Sequence, residues 1–355
     1  MNIQFPPQIL KNSPQSENKK DGLEHRLQQL AKHCQKFKGA HTGRSLFQLL
    51  STFLLYVLSI AVMILAYENH YWLTLLLTLP AGGLIVRLFI FQHDCGHQSF
   101  FKSRRWNDRI GRILSLFTMT PYGYWRQSHN IHHANSGNLS KRGIGDLDTL
   151  TVKEYKARSF WGRVGYRLYR NPFIMLFIGG PLQTVILQRF PMGQPLPVRK
   201  IWKSIMGLNL LLLLVYGSAL YFIGAEKFLL LYLPVIFIAS WVGGWLFFVQ
   251  HQFENTDWDY SEAWNFNRSA ILGSSYYDLP KILHWFSGNI GFHHLHHMCG
   301  VIPNYRLAEC HKTAPHMPEI RKIKFWESFK CIRLTLWDED LRMLVGFKHL
   351  KTIKA

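Results

Sequence analysis

The chain reads as an all-α integral membrane protein in which four transmembrane helices pair into two hairpins. Three observations lead to that reading. Residues 46–67, 71–92, 205–225 and 228–250 are apolar runs that contain a single basic residue, Arg87. At 1.5 Å per residue, about 20 residues of helix cross the roughly 30 Å hydrocarbon core of a bilayer. Next, 39 of the 41 Lys and Arg lie in residues 1–45, 92–204 and 251–355, leaving only Arg87 and Lys227 elsewhere. Finally, three tight groups of histidines fall at or beyond the ends of the runs, all within the basic regions.

Residues 1–45 are polar and basic without an early apolar stretch. The expectation there is a flexible start and a basic helix over about 23–38, with no cleavable signal peptide. The runs of each hairpin are joined by short connections, Glu68–His70 and Glu226–Lys227. The positive-inside rule then places both termini and the central segment in the cytoplasm. Trp106–Thr120 has apolar positions at helical spacing with Arg109 and Arg112 between them, the pattern of an interfacial helix. Residues 134–170 are polar, glycine-rich and basic, which predicts a cytoplasmic loop followed by helix. Pro172–Gln188 is apolar for 17 residues but broken by Gly179-Gly180-Pro181, so it is expected to lie in the interface or dip into it. Were it to cross, the hairpins would face opposite sides and the charge asymmetry would fail. Residues 313–355 are expected to form a cytoplasmic amphipathic tail, with a helix near Pro318–Val345.

The formal charge of +20 then belongs to a membrane surface. Nucleic acid is not an expected partner, because no finger, recognition helix or aromatic–basic motif is present. Cys34, Cys95, Cys299, Cys310 and Cys331 are scattered on the basic side with no CxxC, as reduced thiols would be.

Histidine carries the chemistry. His93 and His97, in HDCGH, are four apart. His129, His132 and His133 (HNIHH) and His293, His296 and His297 (HHLHH) both follow i, i+3, i+4. Those spacings share a helical face, so each group is expected to aim its rings at one point. Neutral imidazole is the commonest protein ligand for first-row metals. Eight such ligands exceed what one tetrahedral ion takes and suit two. His294 follows His293 directly and points about 100° away on a helix, which makes it a neighbour rather than a ligand. His25, His33, His41, His70, His311, His316 and His349 lack the spacing and are expected at the surface. Asp94, Asp146 and Asp148 are either acceptors for imidazole N–H groups, the support ligating histidines usually need, or solvated carboxylates. Arg104, Arg105, Lys141 and Arg142 face lipid headgroups, an acidic redox partner or simply solvent.

The segments HDCGHQSFF, HNIHHANSGNLSKRGIGDLDTLT, VQHQFENT and NIGFHHLHHMCGVIPNYRL resemble the membrane fatty-acid desaturase superfamily, most of all its bacterial acyl-lipid desaturases. The resemblance covers about residues 45–312 and implies a desaturase domain over 46–312. It implies four transmembrane helices beneath a cytoplasmic helical cap, with a non-haem di-iron centre between them. Its ligand boxes fall on His93, His97, His129, His132, His133, His293, His296 and His297, and it adds His251 at the cytoplasmic end of the fourth run. Some relatives have, one turn before that position, an Asn that holds a metal-bound water; this chain has Phe247, which leaves Asn289 or His284 to complete the shell. The implied localisation is a bacterial cell membrane, and the implied substrate is an acyl chain of a membrane lipid.

Saturated methylenes carry no activating group, so the chemistry has to come from the metal and O2 rather than from a side-chain acid or base. Placement of the chain would select the carbons that lose hydrogen to leave a cis double bond. No HPGG segment or flavin fingerprint is present, and the electrons are expected from an external carrier such as a ferredoxin. A fatty-acyl hydroxylase or related di-iron lipid oxidase would use the same boxes, and product analysis separates them. A divalent-metal transporter would instead need ligands at mid-membrane on crossing helices.

Overall fold

The computed structural model describes residues 14–190, 198–315 and 317–351. Among the described residues, four helices are long and apolar enough to cross a membrane. After α1 (Pro14–Gln35), α2 (Thr42–Ala66) and α3 (Tyr71–Gly96) form the first hairpin. A cap then intervenes, with α4 (Arg104–Thr118), α5 (Tyr122–Asn135), α6 (Val152–Ala157) and α7 (Phe160–Tyr169), before the second hairpin, α8 (Val198–Ile223) and α9 (Ala225–His251). Gly224 closes that hairpin at φ +89°, a conformation glycine adopts without penalty from a Cβ. The two tips meet. Lys227 Nζ lies 2.8 Å from Glu68 Oε1 and over the Tyr67 ring. Both hairpins therefore turn at one end, and the cap lies at the other.

α3 and α9 are the inner pair. Of their apolar stretches 56% and 39% is buried, against 22% in α2 and 17% in α8. Leu50, Leu54, Leu213 and Phe222 on the outer helices point away from the protein, as lipid-facing residues do. α3 meets α9 at Gly82, where a Cβ would lie 2.6 Å from Ile238 Cγ2 and 3.2 Å from the Val235 carbonyl. Only glycine lets the two helices come this close. α2 is tied to α3 by Thr74 Oγ1 donating to the Met63 carbonyl and by Arg87 Nε donating to Thr52 Oγ1, both at 3.1 Å.

α4 is amphipathic and turns Trp106 and Ile113 outward, as its sequence predicts. α6 starts at a Thr151–Glu154 capping box and α7 at Ser159. The broken apolar segment forms π-helical turns, Ile174–Gly179 and Leu182–Ile186, ending in a short 3-10 turn. Phe177 packs on Trp241 at 4.9 Å, ten residues or about 15 Å along α9 from His251. The segment therefore packs against the side of α9.

Beyond α9 come α10 (Phe266–Leu272), β1 (Tyr276–Asp278), α11 (Lys281–Phe286), α12 (His293–Met298) and α13 (Asn304–Thr313). α1 lays Leu27, Leu30 and Cys34 into one buried cluster with Ile271, Leu295 and Leu307. The N-terminal helix is thus part of the cap. α1 begins at Pro14, so residues 14–22, read from the sequence as part of a flexible start, are helical, while residues 1–13 of that start lie outside the described residues.

Three expectations are corrected. No helix covers residues 318–345. Instead β2 (Lys322–Lys324) pairs in parallel with β1, the one-turn α14 (Phe325–Ser328) follows, and β3 (Leu336–Asp338) and β4 (Met343–Val345) form an antiparallel hairpin. Asp338 Oδ1 accepts the N–H groups of Asp340 and Leu341, both at 3.0 Å, and Arg342 takes φ +53°. That turn chemistry reverses the chain where a helix would have continued. His33, expected at the surface, is buried with Nε2 3.1 Å from the Cys310 carbonyl, because α1 docks on α13. His311 is likewise half-buried, its ring 4.8 Å from that of Tyr276. His316 lies outside the described residues. All five cysteines are free and buried.

Candidate metal centre

Four elements end at one place. α3 brings His93 in its last turn and His97 at its C-cap; α5 carries His129, His132 and His133. α9 ends on His251, and α12 is built from His293 to Met298. Their ring nitrogens form two groups, His93, His97, His129, His133 and His296 in one and His132, His251, His293 and His297 in the other. Within each group the candidate ligand atoms lie within 4.8 Å of one another. The nine members are the eight box histidines together with His251.

Each HxxHH box is divided between the groups, which corrects the expectation that a box aims at one point. His129 and His133 face the first group and His132 the second, while His293 and His297 face the second and His296 the first. Adjacent helical residues diverge by about 100°, so a helix lying over the junction supplies both sides. α5 and α12 straddle the two groups.

The donor arrangement fits metal ions. His132 Nδ1 hydrogen-bonds Asp146, and His251 Nδ1 donates to the Gly273 carbonyl at 3.3 Å. In a neutral ring whose Nδ1 carries the proton, Nε2 is a bare lone pair. The Nε2 atoms of His132 and His251 nevertheless face each other at 3.2 Å. Two lone pairs so placed repel unless a cation lies between them. The other close Nε2 pairs are His93–His296 at 3.0 Å, His133–His296 at 3.0 Å, His129–His133 at 3.1 Å, His251–His293 at 2.9 Å and His132–His297 at 3.3 Å. Nitrogens sharing one ion at about 2.1 Å are separated by about 3.0 Å across a right angle. His97 Nε2 is buried without a hydrogen-bond partner, a lack that coordination would fill. Burial, reinforced by the neighbouring rings, pushes His97, His129, His133, His293, His296 and His297 well below the usual imidazole range. They are neutral at pH 7 and available as ligands.

The supporting residues divide as follows. Asp94 Oδ1 lies 3.2 Å from His93 Nδ1, while Asp94 Oδ2 accepts the backbone N–H and side-chain amide of Asn304 at 2.8 and 2.9 Å. Asp146 meets His132, whereas Asp148 is exposed and makes no contact with the histidines. His294 belongs to neither group; it is fully buried, with its ring 5.3 Å from His311. His284 stacks on Phe292 at 5.2 Å, its Nε2 accepting from the Leu279 N–H, and is also in neither group. Asn289 donates to the Asn304 carbonyl at 3.2 Å. Phe247 sits 5.2 Å from the His132 ring and 5.4 Å from that of His251. Beside His251 opens a cleft walled by Phe247, Phe248, Leu147 and Trp258. Arg142 pairs with Glu154, while Arg104, Arg105 and Lys141 are exposed. Trp125, four residues before His129 on the same helix, stacks on its ring at 4.5 Å, a contact that the i, i+4 spacing in the sequence allows.

Comparison with known proteins points one way. The fatty acid desaturase family matches residues 70–329. A fatty acid desaturase of Bacillus subtilis is 40% identical over 331 residues, 93% of this chain and 94% of that protein. An sn-1 acyl-lipid omega-3 desaturase (ferredoxin) of Synechocystis is 30% identical over 253 residues, 68% of this chain and 67% of the relative. An endoplasmic reticulum omega-3 fatty acid desaturase of Vigna radiata is 26% identical over 309 residues, 80% and 74% of the two chains.

Proposed function

The chain belongs to the fatty acid desaturase family, and on that footing we propose that it introduces a cis double bond into an acyl chain of a membrane lipid, with O2, at a non-haem di-iron centre. One iron is assigned to His93, His97, His129, His133 and His296, the other to His132, His251, His293 and His297. The observation that carries this is the set of imidazole nitrogens facing one another at 2.9–3.3 Å, at least one pair of them both bare. An all-imidazole set without thiolate suits a redox-active first-row ion. Bound there, the irons supply the two-electron, O2-dependent oxidation that an unactivated methylene pair requires.

The chain's own residues hold and orient. Asp94, Asp146 and the Gly273 carbonyl fix the rings of His93, His132 and His251 with Nε2 inward, which sets ligand direction and raises basicity. In the cleft beside His251, Phe247, Phe248, Leu147 and Trp258 offer an apolar wall that suits methylenes, while Arg142, Asp146 and Gln252 make the remainder polar. The cap is assigned to the cytoplasm of a bacterial cell by the positive-inside rule, on the basic side of the hairpins. Electrons are assigned to an external ferredoxin-like carrier, as the name of the Synechocystis relative indicates for that protein.

The test is expression in a host unable to make unsaturated acyl chains, with its lipids analysed by mass spectrometry. A new double bond is expected in lipid-bound chains. Hydroxylated chains in its place would reassign the reaction.

A further inference from the structure

We propose that a cavity between α2, α3, α11 and α13 is the seat of the phosphate headgroup of the lipid substrate, an inference that rests on the acyl-lipid reading above. The cavity is open, has a volume of about 360 Å³, and is lined by Arg87, Lys281, His284, Gln48, Asn289 and Asn304 among others. That volume is within the range of small-ligand sites. Three of its residues are basic, and no acidic residue lines it.

Arg87 is the telling member. It is only 6% exposed, and among the described residues its partners are all uncharged. It donates to Thr52 Oγ1, to Gln48 Oε1 at 3.3 Å and to the Trp285 carbonyl, and it lies over the Phe91 and Trp285 rings. A buried charge with neutral partners alone is held at high desolvation cost, which an arriving anion offsets.

Depth and direction fit a lipid. Arg87 lies 16 residues, or about 24 Å, along α3 from Tyr71, just inside the far edge of a roughly 30 Å core, from where a long basic side chain reaches toward the headgroups. Exposed Ile282 on α11 faces outward beside it. The inner wall leads to the metal groups. Asn289 donates to the Asn304 carbonyl, Asn304 donates to Asp94, and Asp94 meets His93. Asn304 in the cavity wall thus connects through Asp94 to His93 of the first histidine group, and the cleft described above is lined by His251 of the second. A chain tethered at the cavity and reaching toward the cleft passes the histidines, and the tether fixes which carbons face them.

The test is calorimetric titration of the full-length, iron-loaded protein in dodecyl maltoside. Three probes are used: dihexanoyl phosphatidylglycerol, dihexanoyl glycerol, which lacks the phosphate, and inorganic phosphate. The phospholipid is expected to bind at least about 10-fold tighter than either control, as loss of a charge-assisted contact implies. Arg87→Gln and Lys281→Glu should each weaken it by about 10-fold or more with iron content retained. Lys281 is exposed, so its variant keeps the test open if Arg87→Gln does not fold. Equal binding of dihexanoyl glycerol, or unchanged affinity in both variants, would overturn the seat. Inorganic phosphate binding as tightly as the lipid would reassign it to a free anion. Binding is read without turnover, so phosphate-dependent binding by a protein that forms no double bond leaves the seat standing and defeats the proposed reaction.

Discussion

His294 and His296 are two residues apart, equally buried and chemically identical, yet only His296 faces a histidine group. His296→Ala is therefore expected to abolish desaturation and lower bound iron. His294→Ala should keep substantial activity, losing about 10-fold at most through disturbed ring orientation. Turnover and iron per chain, measured together on both variants, decide it; equal, complete loss in both would break the assignment. Asp94→Ala tests the support of a ligand rather than the ligand itself, and a 10- to 100-fold loss of activity or metal affinity is expected. The metal-free protein should also be acid-sensitive. Rings whose pKa falls below the usual 6.5 on burial leave the unfolded chain holding more protons at low pH. Their contribution is complete above pH 6.5 and is lost as the pH falls. The melting temperature of chelated protein should be flat from pH 8.5 to 7.5 and drop between pH 6.5 and 5.

At the level of helices, α3 and α9 matter most, because each delivers grouped histidines from its end and they touch through Gly82. Gly82→Val should push them apart, costing about 1–3 kcal/mol through overpacking. A lowered melting temperature in detergent, with reduced iron content, is the expected result. The apolar helices were legible in the sequence because length and hydropathy suffice to specify a membrane-crossing helix. The tail was not. Its apolar residues fit a helical period, but β1 offers a free edge to Lys322–Lys324 and Asp338 folds the chain back. Pairing with a distant strand leaves no local mark.

For the molecule as a whole, the meeting of Glu68 with Lys227 and the gathering of the cap at the other end define two sides. Single cysteines at Ser140, Asp340 and Glu226, all exposed, test which side is which. The native thiols are buried and should give little background. Labelling of Ser140→Cys and Asp340→Cys only from the cytoplasm, and of Glu226→Cys only from outside, is expected; the reverse would invert the orientation. Two irons per chain are expected in active protein by metal analysis. One metal, or zinc with full activity, would contradict the di-iron assignment, since zinc has no redox chemistry.

The four long apolar helices, the two hairpins and the grouping of the eight box histidines were readable from the residues, because hydropathy, charge asymmetry and i, i+3, i+4 spacing are local properties of the chain. His251 came from resemblance, being a lone histidine at the end of an apolar run. The partition of the nine rings was not readable. Spacing says which residues share a helical face, but the group each ring joins depends on where the helix axis runs relative to the neighbouring histidines. That placement comes from the α3–α9 contact, the docking of α1, and the anchoring of α12 through Asn304 and Asp94, all of which join residues far apart in the sequence.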